Sequence, residues 1–171
     1  MPALIEIVAY DPDWPALFEA EARRIRKALA DHALRIEHVG STAVPGLSAK
    51  PVIDIVLVVA DSADEAAYLP LLQASGYVLS IREPHWYEHR MFKGRGANIN
   101  LHCLSEGCVE IGRMLLFRDW LRANEQDRLI YEKTKRELAC KQWNEIQHYA
   151  DAKTAVITQI LKRATSKSVT L

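Results

Sequence analysis

The segment Ile36–Val59, IEHVGSTAVPGLSAKPVIDIVLVV, decides the fold because it joins two apolar stretches through a polar loop. The stretches Leu34–Gly40 and Pro51–Ala60 predict two strands, and the second is nearly continuous in apolar residues, which is typical of a strand covered on both faces. Alternation along this strand puts Asp54 and Val56 on one face. A buried carboxylate is costly unless it is ion-paired, hydrogen-bonded or bound to a metal. We therefore expect Asp54 to lie near an open sheet edge or to have a cationic partner.

The loop between the two strands contains residue types that bind phosphate. Gly40 allows the backbone to approach a ligand, and Ser41 and Thr42 offer hydroxyl and N–H groups to phosphate oxygens. Lys50 precedes the second strand, four positions before Asp54. The same residues also suit a plain turn of Gly, Ser and Pro in which Asp54 pairs with Lys50. Spacing alone leaves both interpretations open.

The remaining chain predicts one mixed α/β (α+β) domain over residues 1–165, followed by a flexible tail at 166–171. The order is helix, two strands, helix, three strands and a helical C-terminal portion, which indicates a sheet of about five strands packed against helices. The predicted elements are a helix after Tyr10–Trp14, a helix within Ser62–Gly76 that Pro70 kinks or shortens, a strand at Tyr77–Arg82, a hairpin over Trp86–Leu104 turning at Lys93–Gly96, and helices from Cys108 onward.

Helical spacing also predicts which side chains face the core. In the first helix these are Trp14, Leu17, Phe18, Ala22, Ile25 and Leu29, and in the helix after Cys108 they are Val109, Met114 or Leu115, Phe117 and Leu121.

Composition excludes several classes of protein. The 171 residues suit a single domain, and 22 Lys and Arg balance 22 Asp and Glu, which argues against a protein whose main partner is bulk nucleic acid. A local basic pocket for a small phosphorylated ligand is compatible with this balance. No segment has the roughly 18 apolar residues of a membrane span, and the N-terminus lacks signal-peptide features, so we expect a cytoplasmic protein. The three cysteines match no zinc or redox spacing.

The stretch IEHVGSTAVPGLSAKPVIDI resembles the signature of the GrpB family, also called UPF0157, which is placed in the nucleotidyltransferase-fold superfamily. Later blocks resemble the family in order and spacing, and the resemblance covers about residues 5–160. These blocks are HRMF at His89–Phe92, NLHCL at Asn100–Leu104, LLFRDWLRAN at Leu115–Asn124, YEKTKRELA at Tyr131–Ala139 and YADAKTAVI at Tyr149–Ile157.

The resemblance implies a nucleotidyltransferase-like sheet in which a Gly-Ser pair grips a triphosphate and two acids, two positions apart on the next strand, hold magnesium. Magnesium prefers oxygen ligands from carboxylates and phosphates. Gly40 and Ser41 match the Gly-Ser pair and Asp54 matches the first acid, but Val56 occupies the position of the second. The later strand offers Asn98, Asn100 and His102 on one face and no carboxylate.

Three arrangements would accommodate this departure. Glu37 on the neighbouring strand could supply the second metal ligand, or Asn100 and His102 could join Asp54 around a transition metal. In the third arrangement, which we prefer, no catalytic metal is present and Asp54 orients Lys50, Arg90 or a ligand amine.

The resemblance also suggests Arg118 for phosphate or carboxylate contact, as it does Arg90 beside the His-containing strand. Lys135 and Lys153 lie on later helices, where spacing alone favours solvated positions. The resemblance adds them as secondary candidates for ligand contact, because the helical C-terminal part of nucleotidyltransferase folds often closes over the nucleotide.

We expect a nucleotide or a phosphorylated small molecule as ligand, with magnesium or another divalent metal as the conceivable cofactor. The leading hypothesis is transfer of a nucleotidyl group to a small acceptor. The alternative is a non-catalytic nucleotide- or anion-binding module with a degenerate metal site. A third hypothesis is an enzyme of another kind that uses Asp54 and His102 as base and orienter.

Overall fold

The computed structural model describes Pro2, residues 4–96 and residues 98–168. The helices and strands follow the predicted order. They are α1 (Trp14–Leu29), β1 (Arg35–Val39), β2 (Ile53–Val59), α2 (Leu69–Ala74), β3 (Val78–Glu83), β4 (His89–Lys93), β5 (Ile99–Ser105), α3 (Val109–Ala123), α4 (Glu125–Ala139), α5 (Ile146–Ala152) and α6 (Thr154–Ser168). The chain is therefore a mixed α/β domain with a helical C-terminal portion, as the sequence predicts.

The strands form one five-stranded sheet in the order β1-β2-β5-β4-β3. The β2–β5 pair is parallel and the other three pairs are antiparallel. The predicted hairpin of β4 and β5 is present, with the turn between Lys93 and Ile99. Because β2 lies between β1 and β5, both of its edges are hydrogen-bonded, and its apolar run occupies the sheet interior.

Alternating side chains of β2 belong to two different parts of the core. Ile53, Ile55 and Leu57 pack with Ile25 of α1 and Leu72 of α2 on one face of the sheet. We call this the α1 face. Almost complete burial of these side chains accounts for the β-branched and aliphatic character of the strand.

The opposite face, which we call the α3 face, carries Asp54, Val56 and Val58. Val56 and Val58 pack with Ile111 of α3. Toward the start of β2, a separate apolar cluster connects the loop after β1 with the C-terminal helices through Leu47, Tyr131 and Ile160. The helices thus cover the end of β2 at Val58 and form a wall beside the end at Asp54.

Several local predictions need correction. The predicted helix in Ser62–Gly76 is confined to Leu69–Ala74, preceded by a 3-10 turn, because Pro70 is tolerated only in the first helical turn. Val109 is 70% exposed, because Cys108 and Ile111 on either side of it are the residues that pack against the sheet, and Leu17 is 42% exposed at the margin of the α1 stripe. The predicted tail begins within α6, which continues to Ser168, and residues 169–171 lie outside the described part of the chain.

Among the described residues, no helix has both the length and the apolar character that crossing a membrane requires.

Candidate functional site

Asp54 lies near the start of β2 on the α3 face, opposite Val39 of β1 and beside Asn100 of β5. Its side chain is 29% exposed. The carboxylate lines two adjoining cavities, so the charge in this apolar strand has an open position and polar neighbours. Of the two alternatives that the sequence offered for Asp54, the open sheet edge is wrong, because β2 is paired on both sides, and the charge instead lies beside the lysines of an adjoining cavity.

Gly40 packs against the Asp54 carboxylate and has a φ of +74°. A Cβ atom at this position would lie 2.8 Å from Oδ2 of Asp54. Only glycine adopts this backbone conformation without strain and also leaves space for the carboxylate. The glycine of the loop is thus required for the position of Asp54 itself.

The first cavity, which we call the lysine pocket, has a volume of about 100 Å³. It contains three lysines and a single carboxylate. Its lining residues are Ser41, Thr42, Lys50, Val52, Asp54, Asn100, Lys135, Tyr149 and Lys153.

Lys135 is the most buried cation of the pocket, with 2% of its surface exposed. Its Nζ donates hydrogen bonds to the Ser48 carbonyl oxygen at 2.5 Å and to Ser41 Oγ at 3.1 Å. It also lies 4.9 Å from the centre of the Tyr131 ring. Neither hydrogen-bonding partner is a carboxylate, so the ammonium charge lacks a directly bound counter-ion.

Burial lowers the pKa values of all three lysines, and repulsion from a second pocket lysine adds to the shift of Lys135 and Lys153. Burial, followed by repulsion from Lys153, lowers the pKa of Lys135 to about 7. Burial and then Lys50 lower the pKa of Lys153 to about 8, although Asp54 opposes the shift. The pKa of Lys50 is also lowered, mainly by burial. An anion in this pocket would reverse each of these effects.

The hydroxyl group of Tyr149 is a buried polar group in the wall of the lysine pocket. The described residues provide no hydrogen-bond partner for it. Lys153 Nζ lies 4.7 Å from the centre of the same ring. A buried hydroxyl without a partner is costly, so a ligand oxygen in the pocket would complete its hydrogen bonding.

The hydroxyl of Thr42, a residue of the lysine pocket wall, is hydrogen-bonded within the protein. It donates to the Val52 carbonyl oxygen at 3.0 Å and lies 2.9 Å from His38 Nε2. These bonds connect the loop to the beginning of β2. Ser41 remains at the pocket, where its hydroxyl accepts the hydrogen bond from Lys135.

The second cavity, which we call the apolar pocket, has a volume of about 210 Å³. Asp54 and His102 contribute polar groups to it, and side chains of α3, α4 and α6 form its wall. The wall residues include Met114, Phe117, Tyr131, Ile157 and Leu161. The two pockets meet at the Asp54 carboxylate.

His102 is hydrogen-bonded to Asp54, with 3.1 Å between Nε2 and Oδ1. Its Nδ1 lies 3.0 Å from Nε2 of His89, and Nδ1 of His89 lies 2.8 Å from Oε1 of Glu83. The predicted association of Asp54 with His102 is thus present in the structure. His89 of β4 and Glu83 of β3, which the sequence did not single out, extend this series of hydrogen bonds from β5 to β3.

The side chains around Asp54 do not fit a magnesium site. The described residues contain no group of three or more His, Cys, Asp or Glu side chains that could hold a metal ion. Glu37 does lie on the α3 face opposite Val56, but its two carboxylate oxygens are engaged by Arg118 at 2.7 Å and by Arg35 at 3.0 Å. Asp54 alone is a poor ligand set for magnesium.

The two predicted arginines lie outside the pockets. Arg90 is paired in the sheet with Cys103, whose side chain is on the α1 face, and it binds Glu88 at 2.9 Å. Arg118 donates to Glu37 and to the His38 carbonyl oxygen and therefore braces β1 against α3. Neither guanidinium reaches the Asp54 carboxylate.

Comparison with known proteins decides the family. The family model described as GrpB protein matches residues 4–163. The chain belongs to the GrpB family. It is 59% identical over 162 residues to a UPF0157 protein of Halalkalibacterium halodurans, covering 95% of this chain and 83% of that protein.

Solved structures agree with this family and with the predicted fold. The GrpB protein of Enterococcus faecalis superimposes with a TM-score of 0.83 at 31% identity, covering 95% of this chain and 99% of the other. Cid1 in complex with its short product ApU superimposes with a TM-score of 0.53 at 14% identity, covering 75% of this chain and 42% of Cid1. The nucleotidyltransferase-like fold of this GrpB chain is thereby confirmed.

Lys135, Lys153 and Tyr149 are the site residues whose importance the sequence reasoning underestimated. The two lysines were assigned to solvated positions by spacing, yet both line the lysine pocket. One signal was available, because Lys135 follows Tyr131 by four positions and therefore lies on the same face of α4 as a buried aromatic residue.

Proposed function

We propose that this GrpB chain binds a phosphorylated small molecule or nucleotide, with a phosphate group in the lysine pocket. The observation that carries the proposal is the buried Lys135 ammonium, which lies with Lys50 and Lys153 around one small cavity. Three cations and one carboxylate leave a positive excess where the solvent is largely excluded. A bound phosphate would neutralise this excess.

The electrostatic cost of the empty arrangement supports an anionic ligand. Burial, and after it the repulsion between neighbouring lysines, disfavours the charged forms and lowers the pKa values of Lys135 and Lys153. A pocket built only for stability would contain fewer cations or more carboxylates. Phosphate oxygens also suit the Ser41 hydroxyl, and one of them would accept a hydrogen bond from Tyr149.

The apolar pocket would contain the remaining part of the ligand or an acceptor molecule. Its aliphatic and aromatic wall suits a base or another apolar body, and it begins at the carboxylate that borders the phosphate site. Asp54 would thus lie between the phosphate and the second group.

Binding in this arrangement does not require a divalent metal. The lysines provide the positive charge that magnesium provides in sites with two or more carboxylates, and Val56 leaves Asp54 without the partner that such a site needs. We therefore infer that phosphate binding persists in the presence of a chelator.

Transfer of a nucleotidyl group to a small acceptor is a second proposed function, favoured by the hydrogen bond between Asp54 and His102. In such a reaction, an acceptor hydroxyl oxygen forms a bond to the α-phosphorus, and the bond to pyrophosphate breaks. The hydroxyl proton passes to Asp54, with His102 holding the carboxylate in place. The lysine pocket would stabilise the charge on the phosphates.

The test of the binding proposal is thermal denaturation with pyrophosphate, ATP, CTP or UMP, each with EDTA or with magnesium. A ligand at 100 times its dissociation constant stabilises the native state by about 3 kcal/mol, which corresponds to an increase of roughly 5–10 °C in Tm. We expect such an increase with at least one phosphate compound, in EDTA as well as in magnesium. Titration calorimetry at pH 8 in two buffers should show proton uptake, because the bound anion raises the pKa values of Lys135 and Lys153.

Substitutions distinguish the pocket from general surface charge. Lys153→Met and Tyr149→Phe should each reduce the ligand-induced increase in Tm, whereas Lys133→Met should not, since the Lys133 side chain is 79% exposed on α4. No increase with any of the compounds, or an equal increase in Lys153→Met, would refute the proposal. An increase that EDTA abolishes would refute its metal-independent part.

A further inference from the structure

Three hydrogen bonds in series connect the pocket carboxylate to the surface. They run from Asp54 through His102 and His89 to Glu83, with heavy-atom distances of 3.1, 3.0 and 2.8 Å. The two rings are stacked, with centres 5.3 Å apart. The Asp54 end lines both pockets, and the Glu83 side chain is 45% exposed on edge strand β3. His89 between them is 4% exposed.

Counting protons shows that this chain of groups is incomplete when both carboxylates are ionised. Each hydrogen bond contains one proton, so three bonds contain three protons. Two neutral imidazole rings supply only two. One of the three contacts must then lack a proton, unless the chain binds an additional one.

Three arrangements of the neutral rings follow, and they differ in the contact that lacks a proton. If each ring donates to its own carboxylate, the contact between His102 Nδ1 and His89 Nε2 has no proton. If both rings donate toward Asp54, the contact between His89 Nδ1 and Glu83 has none. If both donate toward Glu83, the contact between His102 Nε2 and Asp54 has none, and the two acceptor atoms that then face each other at the pocket make this end a base for a proton from a bound ligand.

We propose that Glu83, His89, His102 and Asp54 form a proton relay that accepts a ligand proton at the pocket and delivers a proton to the surface at Glu83. The proposal rests on the transfer function above, which requires removal of an acceptor proton. A proton from the acceptor fills the contact between Asp54 and His102. One proton then shifts across each hydrogen bond in turn, and Glu83 releases one proton to solvent, so that the charge of the chain is restored.

The surroundings of His89 favour release of the additional proton. Burial, followed by repulsion from His102, lowers the pKa of His89, while the neighbouring Glu83 raises it and Arg90 lowers it. Trp86 covers His89, with ring centres 5.1 Å apart. The other charged groups near the relay are Arg113 of α3, in the wall of the apolar pocket with His102, and Lys50 and Lys153 beside Asp54.

In this relay His89 and Glu83 are positioning residues, because neither lines a pocket with the ligand, whereas Asp54 and His102 do. A structural role for His89 alone would not link its protonation to that of His102. The linked protonation is therefore the measurement that tests the relay.

The experiment is a pH titration of the ligand-free protein by ¹⁵N NMR of the histidine rings, with signals assigned through single substitutions. The wild type should show one common step for His89 and His102, because they share the additional proton. Glu83→Gln replaces the terminal acceptor by an amide that donates to His89 Nδ1. All three hydrogen bonds are then complete without an additional proton, so His102 should be fixed as the Nε2–H tautomer, and the common step should move down by more than about one pH unit.

The exposed His85 provides the matched control, since it lies near the relay in sequence but outside its three hydrogen bonds. His85→Asn should leave the common step unchanged. Separate midpoints for His89 and His102, or a His102 tautomer and step that are the same in Glu83→Gln and in the wild type, would overturn the proposal. Because no ligand is added, this result is independent of whether the lysine pocket binds phosphate.

Discussion

Replacement of Lys135 by methionine tests the electrostatics of the lysine pocket without a ligand. The substitution removes the ammonium group and keeps an unbranched side chain of similar length in a position that is 2% exposed. It also removes the hydrogen bonds to Ser48 and Ser41, whose strength changes with the protonation of Lys135 and is part of its pKa. The pH-dependent part of the effect therefore reports the titration of this buried ammonium group.

The magnitude follows from the difference between the folded and unfolded states. The pKa of Lys135 is about 7 in the folded protein, against 10.5 as its ordinary value. Between these values the unfolded chain carries the proton and the folded chain does not, so the free energy of unfolding rises with pH. Below pH 7 both states are charged, and the full cost of burying the ammonium is present. Each pH unit corresponds to about 1.4 kcal/mol, which gives about 3 kcal/mol between pH 6 and pH 9.

The assay is urea denaturation of the wild type and Lys135→Met at pH 6, 7, 8 and 9. The free energy of unfolding of the wild type, relative to that of the variant, should increase by about 3 kcal/mol from pH 6 to pH 9. Lys153 titrates in both proteins, so the comparison largely removes its contribution. Lys133→Met, on the exposed side of α4, should follow the wild type at every pH.

A constant difference between wild type and Lys135→Met across this pH range would refute the reasoning. It would mean that Lys135 keeps its ordinary pKa, and that solvent or a carboxylate compensates its charge. An opposite slope, with the wild type losing stability as pH rises, would show that Lys135 is stabilised in its charged form by a counter-ion.

Two further predictions concern the loop and β2. Gly40→Ala should lower the free energy of unfolding by about 1–3 kcal/mol, because alanine is strained at positive φ, and should alter the ring signals of His102, because the new Cβ displaces the Asp54 carboxylate. Unchanged stability and an unchanged His102 spectrum would contradict this. Val56→Asp should lower the free energy of unfolding by about 3 kcal/mol in EDTA, because Val56 is 0% exposed, and magnesium should raise the Tm of this variant and not of the wild type. A wild type that magnesium stabilises would show that a second carboxylate is unnecessary for metal binding.

Most of the architecture could be predicted from the sequence because it depends on local periodicity. The apolar run of β2, the alternation that isolates Asp54 and the glycines near the β4–β5 turn each indicate their element without knowledge of the tertiary structure. The wrong predictions occur where tertiary contacts decide whether a side chain is buried. Val109 has the spacing of a core residue, but at the start of α3 it is Cys108 and Ile111 that pack against the sheet.

Only those residues of the candidate site that lie in the loop and in β2 could be predicted from the sequence. Gly40, Ser41, Lys50 and Asp54 are close in sequence, so a single motif places them together. The helical residues of the site are separated from that motif by β3 to β5 and α3, and the spacing of Lys135 from Tyr131 places the two on one face of a helix without showing that a pocket lies there.

The sequence by itself determined the fold, the family and the presence of one isolated acid in a buried strand. Only the tertiary structure decided what surrounds that acid. It brought α4 and the α5–α6 junction to the loop, so that the buried Lys135 and the half-buried Lys153 line one pocket, and it aligned β5, β4 and β3 so that Asp54 joins two histidines and Glu83. The physical reason is that pKa values and hydrogen-bonding partners depend on distances and burial between residues far apart in the chain, whereas strand and helix formation depends mainly on neighbours.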